Sequence, residues 1–89
     1  MEKKRRKLNK DFEKKIYSSK KNVELVLAKI YDIDDEDIQK EYMSAFNKVD
    51  DLYDELKKYY ELQGFTDNSE ELLTNYKNAF NLFESEFEI

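Results

Sequence analysis

Residues 38–60, IQKEYMSAFNKVDDLYDELKKYY, separate Ile38, Tyr42, Ala45, Val49, Leu52, Leu56 and Tyr59 by alternating steps of 4 and 3. That rhythm holds apolar side chains on one side of an α-helix, along a seam with another helix. With Ile38 as position d, Phe46, Tyr53 and Tyr60 all fall at position e, so the apolar stripe is wider than one neighbour can cover. The stretch therefore predicts a bundle of at least three helices. Asp34 is the expected N-cap, with Asp35, Glu36 and Asp37 favoured in the first turn by the helix dipole. Gly64 is the expected left-handed C-cap.

Downstream, Asp67 and Glu70 stand at capping-box spacing. Leu73, Tyr76, Phe80, Phe83 and Phe87 then repeat the alternation, flanked by Leu72 and Ala79, while Leu82 and Ile89 fall on a different side. Upstream, Ile16, Ser19, Val23, Val26 and Ile30 keep the seam spacing with Leu27 beside it, but Leu8 and Phe12 join only through two steps of four. Ser18, Ser19 and Asn22 are weak helix formers and suggest a kink there. The fold expected is all-α: an antiparallel three-helix bundle with long, coiled-coil-like helices over about 8–31, 35–63 and 68–88. It forms one domain over residues 1–89, with residues 1–7 a basic, disordered arm.

The composition excludes more than it assigns. The chain of 89 residues has no histidine, cysteine or proline and one glycine, while 42% of it is charged and 15% aromatic. Nucleophile–base pairs that use histidine or cysteine, thiolate or imidazole metal sites and glycine-rich phosphate loops therefore have no material, and almost no catalytic constellation can be built. No cofactor and no catalytic residue is expected. A calcium loop counted from Asp32 fails at its sixth position, Asp37, and at its twelfth, Met43. The pairs Asp34/Asp37 and Asp51/Asp54 have the spacing of magnesium-binding carboxylates. Asp50, Asp51 and Asp54, however, take outer positions b, c and f, and a metal centre in a bundle needs inward ones. Without disulfides, an apolar leader stretch or a run long enough to span a bilayer, a cytoplasmic protein that does not bind membranes is expected.

Charge is divided along the chain. Residues 1–21 carry a formal +7 and residues 22–89 a formal −12, for a net charge of −5. The acidic part points to a protein partner with a basic surface, such as a nucleic-acid enzyme, bound through Asp50, Asp51, Asp54, Glu55 and Glu61, with Tyr53 and Tyr60 as amphipathic anchors. On this reading the protein is a non-enzymatic inhibitor of the immunity or phage- and plasmid-borne anti-host type. The basic part supports an alternative, a nucleic-acid-associated protein using Arg5, Arg6, Lys7, Lys10 and Lys14. A structural homo-oligomer pairing surplus apolar surface, Leu82 and Ile89 included, is the remaining alternative.

Overall fold

A computed structural model describes residues 7–87, with helices α1 (Lys10–Tyr31), α2 (Glu36–Gln63) and α3 (Asp67–Phe87) and no named strand among them. The helices pack as an antiparallel three-helix bundle. The middle helix, 28 residues and therefore roughly 42 Å long, packs against both of the others. A wide apolar stripe on α2 was expected for this reason.

Phe12, Val23, Val26 and Ile30 of α1, Phe46, Val49, Tyr53, Leu56 and Tyr60 of α2, and Leu73, Tyr76, Phe80 and Phe83 of α3 make one continuous core. On α3 these are the residues the sequence marks, with Phe87 packed against the edge. On α2 the stripe is rotated from its expected centre. Phe46, Tyr53 and Tyr60 are buried, Leu52 and Tyr59 only partly so, and Ile38 is 46% exposed. Large aromatics at position e remove more surface from water than the residues at d, so the helix turns them inward.

Aromatic rings set the register of α2 against α3. Tyr42 meets Phe87 with centroids 4.8 Å apart, Phe46 meets Phe83 at 4.9 Å, and Tyr53 meets Tyr76 at 6.0 Å. Every advance along α2 is matched by an equal retreat along α3. The first two pairs are edge-on, the arrangement favoured by the ring quadrupole. At the other end Phe12 meets Tyr60 at 5.5 Å and Phe65 at 5.0 Å, which ties the start of α1 to the α2–α3 turn.

The helix ends correct several expectations. Asn9 caps α1, its Oδ1 accepting from Phe12 N at 3.0 Å, so the helix begins at Lys10 and leaves Leu8 exposed ahead of it. Asp35, not Asp34, caps α2 and accepts from the backbone of Asp37 and Ile38 at 2.9 and 3.2 Å. The box before α3 is Thr66 with Ser69, not Asp67 with Glu70. Ser69 Oγ accepts from Thr66 N at 3.1 Å and donates to Gly64 O at 2.8 Å, and Ser69 is fully buried. Gly64 has φ 78° and ψ −160°, which is a positive-φ extended conformation and not the left-handed helical one; it is open essentially to glycine alone.

Helix α1 is unbroken through Ser18–Asn22. Ser19 Oγ donates to Lys15 O at 2.8 Å, so the hydroxyl that was expected to compete with the helix is satisfied inside it. Lys7 does not fray: its carbonyl accepts from Phe65 N, and it forms an isolated parallel bridge with Gly64. Arg5 and Arg6, the rest of the expected arm, and Ile89 lie outside the described residues.

Candidate functional site

The acidic residues of α2 do not form one row. Asp50, Asp54 and Glu61 follow each other along the edge that faces α1, Asp51 points outward, and Glu55 lies toward α3, where it lines a shallow depression with Tyr59, Asn68 and Glu71. Asp50 is half-buried and the other four are exposed, with exposed Lys57 and Lys58 between Glu55 and Glu61. Tyr53 and Tyr60 are 6% and 8% exposed. They are core residues and not rim anchors, because position e faces the gap between the neighbouring helices.

Helix α1 adds two carboxylates to this edge that the sequence reading did not select. Glu13 Oε2 accepts from the Tyr60 hydroxyl at 2.6 Å, and the same hydroxyl accepts from Asn9 N at 3.1 Å. Glu24 lies close enough to Tyr53 to act on its phenol. Burial, then Asp54, Glu24, Glu61 and Asp50, push that phenol above its ordinary range. The α1–α2 seam thus carries carboxylates from both helices over a buried tyrosine. Only the rotation of α1 against α2 reveals Glu24; its own spacing carries no such signal.

The same crowding acts on Asp50, whose carboxyl is pushed up first by burial, then by Asp54 and Asp51. Like charges are being held together, and the folded state loses stability through their repulsion. Among the described residues no group of three or more carboxylates is placed to hold a metal ion. No helix among them is long and apolar enough to cross a membrane.

The second charged region is the cleft between α1 and α3. Lys14 and Lys15 line it from α1, and Lys77, which the sequence reading also passed over, from α3. Lys7 and Lys10 are exposed near the start of α1. Beneath these side chains the Tyr76 hydroxyl donates to Ser19 O at 3.3 Å, joining α3 to α1 through the floor of the cleft. Burial pushes the Tyr76 phenol up to about 12, against a smaller lowering effect of the Ser19 side chain.

No protein-family model, curated protein or solved structure gives a significant match to this chain.

Proposed function

We propose that this protein acts by binding and not by catalysis: its acidic α1–α2 seam docks on a basic surface of a protein partner and occludes it. The observation that supports the reading is the four carboxylates, Asp54, Glu24, Glu61 and Asp50, that two different helices bring around Tyr53. The crowding of Asp50 by Asp54 and Asp51 weakens the fold there, and a cationic partner relieves it on binding. Asp51 and Glu55 extend the negative surface around α2. Carboxylates brought by two stiff helices to one seam offer a basic cleft negative charge like that of a nucleic-acid backbone. The partner of best fit is therefore a cytoplasmic nucleic-acid enzyme, and the role that of an inhibitor of the immunity or mobile-element anti-host type.

Replacing Glu24 and Asp54 together by lysine tests both halves of the seam, since the two residues sit on different helices and are exposed. Affinity capture with the unchanged chain should retain a stoichiometric basic protein at low salt and release it as salt rises. The captured protein should lose nucleic-acid binding in the presence of this chain, and the doubly reversed variant should capture none. Equal capture by the variant removes the reading.

A further inference from the structure

The charges of α1 separate around its circumference. At about 100° per residue, Glu13 and Glu24 face α2, where Tyr60 and Tyr53 respectively meet them. Lys14, Lys15 and Lys29 fall on the opposite flank and line the cleft toward α3. Lys10, Tyr17 and Lys21, spaced 7 and 4 apart, cover the outward face between the two flanks and are exposed. Lysines therefore predominate on the half that borders the cleft and carboxylates on the half that borders the seam, with Asp11 on the first and Lys20, between Glu13 and Glu24, on the second as the exceptions.

Within the cleft the charge is again sorted. Its centre, a depression of about 270 Å³, is lined by Lys14, Lys15, Ser18, Ser19, Asn22 and Lys77, with three ammonium groups and no carboxylate. The acids stand at the ends: Asp11 and Glu70 toward the α2–α3 turn, and Glu84 toward the other end. Hydroxyl and amide groups among converging lysines can complete the hydrogen bonding of a tetrahedral anion. One helical turn from Lys14 on the outer face, Tyr17 is 60% exposed, and Lys21 Nζ lies 5.0 Å from its ring centroid. A large ring left in water between lysines is a platform for a flat π-system.

We propose that this surface binds single-stranded nucleic acid, with Lys14, Lys15 and Lys77 holding a backbone phosphate and Tyr17 stacking an adjoining base. An acidic peptide would use the lysines and have no use for Tyr17. A duplex would offer phosphates and keep its bases out of reach. The inference concerns a different face from the acidic seam and stands without it.

Fluorescence anisotropy with a labelled oligothymidylate, at salt from about 50 to about 200 mM, tests it on the full chain. The expected result is saturable binding that weakens steeply with salt. Lys77→Glu should weaken it by about tenfold or more at the low end and flatten the log–log salt slope by about 0.7 for the lost phosphate contact. Lys77→Arg should retain binding. Tyr17→Ala should weaken it by roughly tenfold at every salt concentration and leave the slope unchanged, as loss of one stacked base requires. Both residues are exposed, and an unchanged helical circular dichroism spectrum shows that the variants are folded. Three results overturn the proposal. One is no saturable binding at about 50 mM salt. The second is binding that Lys77→Glu and Tyr17→Ala leave intact, which places it on the basic residues before α1. The last is polyglutamate or duplex competing as well as the single strand, which makes the ligand a polyanion without a base.

Discussion

Tyr76 shows how one side chain can serve packing and polarity at once. Its ring stands between Tyr53 and Phe80, at 6.0 and 5.9 Å, while its hydroxyl reaches across the core to Ser19 O. Burial of the phenol disfavours its ionised form, and its pKa rises from 10.0 to about 12. The folded state thus prefers the protonated form more strongly than the unfolded chain does. The resulting stability is fully present below pH 10 and is lost as pH rises from there toward 12. A shift of that size corresponds to something on the order of 2–3 kcal/mol. Tyr76→Phe should be destabilising by about 1 kcal/mol at neutral pH, through the lost hydrogen bond. It should also lose less stability than the unchanged chain between pH about 8 and about 11.5, since Phe cannot ionise. Urea denaturation at both pH values measures the two slopes, and identical alkaline losses would show that Tyr76 is not the titrating group. Tyr53, also shifted upward, leaves a smaller alkaline loss in the variant.

At the scale of elements, the sequence made the bundle legible because periodicity survives packing. The α3 stripe from Leu73 to Phe87 is the one its spacing marks, and α2 meets two neighbours as its width requires. The rotation of α2 was hidden, because a heptad register treats every apolar residue alike, whereas burial favours the largest rings in the gap between two helices. The expected break in α1 failed because Ser19 could turn its hydroxyl back to Lys15 O. Of the candidate site, the acids of α2 were legible as charges. Their division between a seam, an outer face and a depression, and the joining of Glu24 and Lys77 to either surface, depend on how helices are rotated in three dimensions. Gly64 is a sharper case. A glycine expected at a left-handed cap would be replaceable by Asn at little loss. With ψ at −160°, that replacement has no low-energy conformation. Gly64→Asn and Gly64→Ala should therefore be alike in destabilising the protein, by roughly 1–3 kcal/mol. Thermal denaturation of the two variants decides the matter, and an Asn variant as stable as the parent would return Gly64 to the left-handed cap.

For the whole molecule, folding changes the direction in which charge is divided. Along the chain the cations come first and the acids follow; across the bundle Asp50, Asp54, Glu61 and Glu24 line the α1–α2 seam, with Lys20 and Lys57 among them, while Lys14, Lys15 and Lys77 line the centre of the α1–α3 cleft between acids at its ends. The division weakens the isolated fold where carboxylates crowd, and Asp50 reports it. Burial and the neighbouring Asp54 and Asp51 raise its folded-state pKa above 3.8. Asp50 therefore favours the folded state below pH 3.8 and loses that contribution as pH rises through its raised value, so that at neutral pH its charge opposes folding. Asp50→Asn, which keeps the shape and removes the charge, should raise the melting temperature at pH 7 and leave it nearly unchanged at about pH 3, where the aspartate is already protonated. Added salt should narrow the difference at pH 7 by screening Asp51 and Asp54. Differential scanning calorimetry at the two pH values, with and without about 0.5 M salt, gives the comparison. A variant less stable than the parent at pH 7 would show Asp50 to be held by favourable contacts, and the argument that a cationic partner relieves stored repulsion at this seam would lose its basis.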